Sequence, residues 1–323
     1  MNWQQHDTAT SHFLASSDQA GLRLHLRAQG DTTKRLPVLF VHGATYASRL
    51  YDIPHPGASW LKAAADAGFA AYALDIRGYG KSHVSDLERQ PQPYARGADA
   101  VVDISDAVTW ILKRHDAPKV SLIGGSWGSI TTAMYAAGHG GSKIKSLVLY
   151  APIFAEKNPG WLSYLADAKD PNRFNPAFNA ARLIDEATTR ARWDAEIPPH
   201  ETWRPEAVFQ ALVQSSLFDD PHATVRSPSA FLAPNGTLLD LWEAFNGRPV
   251  YDPSQITCPT LLLRGGADTT STRSDALALF DQLGTPHKRY FELSGGTHFA
   301  SAERAGPEIF SATSAFLQDW GGR

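Results

Sequence analysis

The sequence predicts an α/β protein: a doubly wound, mostly parallel sheet with a helical cap inserted into it. Three observations predict this. Short apolar runs such as PVLFVH at 37–42 and SLVLY at 146–150 alternate with segments of helical spacing, the rhythm of strands buried on both faces and joined by crossover helices. Most of these runs end in glycine-bearing loops, which gathers the loops at the carboxyl edge of such a sheet. From about Pro152 to Pro253 the rhythm stops, and it resumes with two further strands. Residues 1–151 and 254–323 are therefore expected to form the core and 152–253 the cap.

Each element has its own signal. In residues 13–28, Leu22, Leu24 and Leu26 alternate with Arg23, His25 and Arg27 after a turn at 18–21, which reads as an edge hairpin. The run 37–42 is a central strand ending in His42-Gly43-Ala44-Thr45-Tyr46. A helix over 57–68, with Trp60, Leu61, Ala64 and Ala65 on one side, closes on glycine. A strand over 69–74 leads into the loop DIRGYGKS, and 98–115 carries Val101, Ile104, Val108, Ile111 and Leu112 at helical spacing. Strands then follow at 120–123 and 146–150. The 152–253 segment is rich in arginine, alanine and aromatic residues and shows helical rather than strand periodicity; half or more of its rings are expected to form its own core, and a minority to face substrate. Beyond it come a strand at 260–263, a helix at 273–283, a strand at 289–293 and a last helix at 307–320.

Composition narrows the function. With 323 residues, 43% hydrophobic and 20% charged, the chain is an ordinary globular protein large enough for one α/β core and one excursion. A net charge of −3 gives no electrostatic reason to expect nucleic acid or an anionic membrane as partner. The single cysteine, Cys258, excludes an internal disulfide and fits a reducing compartment. The opening residues lack a basic region followed by an apolar run, and no run approaches the roughly 18 residues that span a bilayer. A cytoplasmic location without membrane insertion is the expectation. No HExxH-type spacing points to a metal, and GxGxxG and GxxxxGK[ST] are absent around residues 124–128, so neither metal nor cofactor is expected.

The chemistry is concentrated at VSLIGGSWGSITTAM, residues 120–134, a strand, a sharp turn and a helix with Ser126 at the apex of Gly124-Gly125-Ser126-Trp127-Gly128. When a strand turns directly into a helix, the residues two places either side of the apex must be nearly without side chains, and the hydroxyl then stands clear of the sheet. A serine nucleophile needs a base, and that base needs a carboxylate behind it. The two late strands end in Asp268 and His298, each in a glycine-bearing loop on the edge where Ser126 emerges, and the order Ser, Asp, His fits this topology. Asp252 and Asp275 are the rival acids; Asp268 also suits a helix-capping role. Oxyanion donors are expected from the backbone N–H of Trp127 and of Ala44, with Thr45 as the alternative. His42 is read as a structural residue holding its loop.

HGAT at 42–45, DIRGYGKS at 75–82, GGSWGS at 124–129, GGAD at 265–268 and GGTH at 295–298 resemble the α/β-hydrolase family over nearly the whole chain. The resemblance implies Ser126 as nucleophile, Asp268 as acid, His298 as base, and Ala44 with Trp127 as the oxyanion hole. Within the family, GGSWGS is similar to the elbow of proline iminopeptidases, but those usually show HGGPG and DQRG where this chain has HGATY and DIRG. The HGATY loop and the aromatic, arginine-containing cap look more like the serine carboxylesterase and lysophospholipase-like group, which includes enzymes for monoalkyl phthalate-like monoesters. Such a substrate implies a cap arginine for its free carboxylate, with Arg173, Arg182, Arg190, Arg192, Arg204, Arg226 and Arg248 all available.

The leading expectation is a cofactor-independent hydrolase of a small-molecule carboxylic ester. The alternatives are a proline-releasing aminopeptidase or amidase, and a non-hydrolytic lyase, acyltransferase or small-molecule receptor on the same fold. A peptidase needs a cap carboxylate for the substrate amine, from Glu156, Glu186, Glu196, Glu201, Glu206 or Glu243. An inward arginine among rings favours an aromatic acid, whereas an inward carboxylate pair favours an amine.

Overall fold

The computed structural model describes residues 3–30, 32, 33 and 35–321. Its main sheet opens with the hairpin β1 (Thr10–Ala15) and β2 (Arg23–Gln29), followed by β3 (Pro37–Val41), helix α1 (Trp60–Asp66), β4 (Ala70–Asp75), α2 (Gly97–His115), β5 (Val120–Gly125), α3 (Trp127–Ala137) and β6 (Ile144–Tyr150). After the insertion come β11 (Thr260–Gly265), α8 (Arg273–Gln282), β12 (Lys288–Leu293) and α9 (Gly306–Gly321). The strands pair in the order β1-β2-β4-β3-β5-β6-β11-β12. The β1–β2 and β2–β4 pairs are antiparallel and the rest parallel.

The continuous apolar runs have the predicted consequence: every residue of β3, β4 and β5 is buried. Alternation sorts them between two cores. Val38 and Phe40 pack with Trp60 and Leu61 of α1 and with Phe316 and Leu317 of α9, whereas Leu39 and Val41 share the other face with Ile104 and Val108 of α2 and Ile130 of α3. Helix α1 is shorter than its sequence signal because Ser59 takes the cap, its side chain accepting from the Lys62 N–H.

Residues 152–253 depart from the purely helical expectation. They hold α4 (Pro159–Leu165), a short hairpin of β7 (Ala166–Asp167) and β8 (Asp170–Phe174), β9 (Ala181–Asp185), α5 (Glu186–Asp194), α6 (Glu206–Asp219), β10 (Ala230–Pro234) and α7 (Gly236–Phe245). Strands β9 and β10 pair antiparallel from Asp185 opposite Ala230 to Ala181 opposite Pro234. Two helices separate these partners in sequence, so neither strand announces itself as half of a hairpin. Among the described residues no helix is long and apolar enough to cross a membrane.

Candidate active site

The turn from β5 into α3 takes a single residue. Ser126 has φ 56° and ψ −124°, in the region that L-residues avoid. A side chain at Gly124 would collide with Gly128 O and Thr132 Oγ1, and one at Gly128 with the carbonyls of Val41 and His42. The two glycines are therefore dictated by close approach of α3 to β5 and β3. The Ser126 N–H donates to Tyr150 O at 2.9 Å, which ties the strained residue to β6.

Strands β11 and β12 end in register, Gly265 opposite Leu293, so the loops that follow leave the sheet side by side. They bring Asp268 Oδ2 to 2.8 Å from His298 Nδ1, and His298 Nε2 to 2.9 Å from Ser126 Oγ. The other Asp268 oxygen, Oδ1, accepts the N–H groups of Thr270 and Ser271, each at 2.8 Å, which fixes the carboxylate. With that carboxylate on Nδ1, the neutral ring carries its proton there and turns its Nε2 lone pair to the Ser126 hydroxyl. The rival acids lie elsewhere in function: Asp275 accepts the N–H groups of Phe154, Ala155 and Glu156 at the root of the insertion, and Asp252 caps the turn at residues 253–255.

The loop after β3 faces this trio. A side chain at Gly43 would lie 2.9 Å from Ser126 Cβ. His42, fully buried, donates from Nδ1 to Gly43 O at 2.8 Å and accepts the Ile76 N–H on Nε2 at 3.1 Å. It is structural, as expected, with a further consequence. Pinning Gly43 O also fixes the trans N–H of Ala44 across the same planar peptide. The next carbonyl, Ala44 O, accepts from Arg182 Nη2 at 2.6 Å and from the Tyr79 hydroxyl at 2.7 Å. Trp127 opens α3, where a backbone N–H has no partner within the helix. Its indole is fully buried, and Nε1 donates to Asp240 of α7 at 3.0 Å, so the ring braces the elbow from below.

Ser126, His298, Ala44, Thr45 and Tyr46 line a small chamber of about 40 Å³. Thr45, Trp161 and Arg192 line both it and an adjoining cavity of about 510 Å³, whose wall also includes Tyr164, Arg182 and Glu196. Of the cap rings, Trp193, Phe209, Phe231, Trp242 and Phe245 are buried, and they join the apolar cluster that lies against α2 and α3 rather than a core of their own. The insertion also grips the His298 loop. Glu196 Oε2 accepts the His298 N–H at 2.8 Å, and Trp193 Nε1 donates to Glu303, which holds Thr297 through its N–H and hydroxyl. Burial pushes the Glu196 carboxyl above its ordinary range. Arg182 and Glu196 stood undistinguished among the charged cap residues in the sequence, because no local pattern marks which of them turns inward.

A family model described as alpha/beta hydrolase fold matches residues 37–305. The chain is similar in structure to an esterase from Exiguobacterium antarcticum, with 15% identity, a TM-score of 0.66, and 96% of this chain and 100% of that one covered. It is also similar to a bromoperoxidase from Bacillus anthracis, with 18% identity, a TM-score of 0.61 and coverage of 96% and 100%. A third likeness is to epoxide hydrolase A from Mycobacterium thermoresistibile, with 17% identity, a TM-score of 0.63 and coverage of 96% and 98%. At such identities the likeness is one of fold, and the differing activities of the three underline it. Because the family model spans well over half of its length, the chain belongs to the alpha/beta hydrolase fold family.

Proposed function

We propose that the protein is a serine hydrolase of carboxylic esters that works through an acyl-enzyme. One observation carries the reading: Ser126, His298 and Asp268 form a continuous hydrogen-bonded chain whose hydroxyl end opens into a cavity. In this reading Ser126 Oγ attacks the ester carbonyl as His298 Nε2 takes its proton, and Asp268 stabilises the imidazolium. The N–H groups of Trp127 and Ala44 meet the oxyanion. Collapse expels the alcohol, which takes its proton from His298. Water, deprotonated by the same imidazole, then attacks the acyl-enzyme and releases the acid. None of these steps needs a cofactor. The rings of Trp161 and Tyr164 on the cavity wall favour an aromatic group on the ester.

The proline-releasing reading is less well supported. It needs one cap carboxylate for the amine; of the six glutamates that could serve, only Glu196 lines the cavity, and that carboxylate already accepts from the His298 N–H and lies beside Arg192. A direct comparison of prolyl-2-naphthylamide with 4-nitrophenyl butyrate separates the two, since an esterase cleaves the second far faster. Ser126→Ala is expected to lower kcat on the aryl ester by at least about 10³-fold with an unchanged circular dichroism spectrum. Near-normal turnover by the folded variant would overturn the assignment.

A further inference from the structure

We infer that Arg192, backed by Arg182, is an anion subsite of the cavity, and that the preferred substrate is an ester whose acid or alcohol part bears a carboxylate. The inference rests on Ser126 as the nucleophile. Its own support is the charge arrangement of the cavity wall.

Four other arginines of the insertion are matched by carboxylates, Arg173 on exposed β8 being outside this set: Arg190 bonds Glu186 and Glu206, Arg204 bonds Asp194 and Glu206, Arg226 bonds Glu88 and Asp220, and Arg248 bonds Glu243. The two on the cavity wall have less: Arg182 has no carboxylate partner and Arg192 only a distant one. Arg182 donates to Ala44 O, Pro234 O and Asn235 Oδ1, all of them neutral, and among the described residues no carboxylate lies within 4.0 Å of it. Arg192 has Glu196 Oε1 at 3.7 Å, beyond hydrogen-bond reach, while the other oxygen of Glu196 is engaged by the His298 N–H. Its remaining polar contact is a long one, 3.4 Å from Nη2 to Thr270 Oγ1, and its buried Nε has no partner.

The Arg192 side chain is nevertheless 32% exposed, so a ligand oxygen can meet the guanidinium beyond Nε, where a charge-assisted hydrogen bond is stronger than a neutral one. The wall therefore presents two guanidiniums against one carboxylate, Glu196. The Arg192 guanidinium is also held in place, 4.7 Å over the Trp161 ring and 5.6 Å over Phe299, so little freedom is lost when it binds. Because Arg192 lines the Ser126 chamber as well as the larger cavity, an anion bound there belongs to the same molecule whose carbonyl meets Ser126. A substrate ammonium would face the same two cations and be repelled.

Two pairs of near-isosteric esters test this. Ethyl hydrogen adipate against ethyl hexanoate varies the acid side, and 4-acetoxybenzoate against 4-methylphenyl acetate varies the alcohol side. In at least one pair kcat/KM should favour the anionic member by about tenfold or more, as expected of charge-assisted hydrogen bonds. Arg192→Gln should collapse that ratio, and Arg192→Lys should keep part of it. Preference for the neutral member in both pairs, or a ratio that Arg192→Gln leaves unchanged, overturns the subsite. Ser126-dependent cleavage without charge preference sinks the subsite alone, whereas cleavage that persists in Ser126→Ala sinks the ester reading. Calorimetry with adipate and with 4-hydroxybenzoate on the Ser126→Ala protein decides without turnover. Binding of either that is lost in Ser126→Ala/Arg192→Gln supports the subsite, and absence of binding by both refutes it.

Discussion

At the scale of single residues, the proposed catalytic arrangement has a near-duplicate in the same molecule. His25 Nδ1 lies 2.7 Å from Asp75 Oδ2 and its Nε2 lies 2.9 Å from Ser11 Oγ, distances matching those around His298. The surroundings differ. Ser11 is an ordinary residue of the exposed edge strand β1, whereas Ser126 is a strained apex beside a chamber and two candidate oxyanion donors. A fluorophosphonate probe should label the wild type at Ser126 only and leave Ser126→Ala unlabelled; label on Ser11 would contradict this. The second trio reads instead as structural, because Asp75 also accepts the N–H groups of Ser48 and Lys81 and so holds the loops that follow β3 and β4. Burial raises the Asp75 carboxyl, but the His25 pairing and these hydrogen bonds outweigh it and hold it well below the ordinary value of 3.8. A depressed carboxylate stabilises the fold above its ordinary pKa, and that contribution is lost as pH falls through the folded value. Asp75→Asn should therefore cost roughly 2–4 kcal/mol at pH 7. The gap between variant and wild type should narrow below about pH 4 in urea unfolding series, and a gap independent of pH would show that the charge is not what Asp75 contributes.

At the scale of elements, α7 and α5 connect the insertion to the proposed reacting groups. Asp240 of α7 accepts from Arg96 Nε at 2.6 Å, Gly97 N at 2.6 Å and Trp127 Nε1 at 3.0 Å, so one side chain ties the start of α2 to the start of α3. Asp240→Ala leaves the buried Trp127 N–H and the Gly97 N–H without acceptors, at about 1–3 kcal/mol each. A lower denaturation midpoint is expected, together with a fall in kcat larger than the rise in KM, since Trp127 carries one proposed oxyanion donor. An unchanged kcat in the folded variant would show that the indole anchor does not position the elbow. Helix α5 does the corresponding work for the proposed base His298: Arg192 faces the cavity, Trp193 holds the Glu303–Thr297 pair, and Glu196, just beyond the helix, holds the His298 N–H. Its sequence, EATTRARWD, shows little apolar periodicity, because this helix is organised by polar contacts to a distant loop rather than by a broad apolar stripe.

At the scale of the whole molecule, one buried carboxylate joins insertion and core. Asp219, at the end of α6, lies 2.6 Å from Arg27 Nη2 of β2, 2.9 Å from Arg49 Nε and 3.4 Å from Lys81 Nζ. Removing it leaves the two buried guanidiniums with only Asp7 and, for Arg27, the more distant Asp52, so Asp219→Ala should cost up to about 3–5 kcal/mol. Melting temperature and limited proteolysis check this: cleavage within 152–253 should appear before cleavage of the core. Because Arg27, Arg49 and Asp219 are buried, their contribution should change little between 0.05 and about 0.5 M salt, unlike that of the exposed Lys62–Asp66 pair. A strong salt dependence would argue that the cluster is solvated in solution.

The sequence by itself determined the parallel core and the edge at which chemistry collects, because buried strands must be continuous apolar runs and a one-residue turn must be flanked by glycine. Ser126, Asp268 and His298 were singled out in the sequence for the same reason: Ser126 follows β5 at once, and Asp268 and His298 lie in the loops that leave the neighbouring ends of β11 and β12, so position along the chain implies position in space. Only the tertiary structure decided the rest. The pairing of β9 with β10, the inward turn of Arg182, Arg192 and Glu196, and the burial of the Trp127 indole against Asp240 all depend on partners distant in sequence. In the insertion, charged residues occur at many positions, and a local pattern does not record which neighbour each will meet once the chain folds back over the sheet.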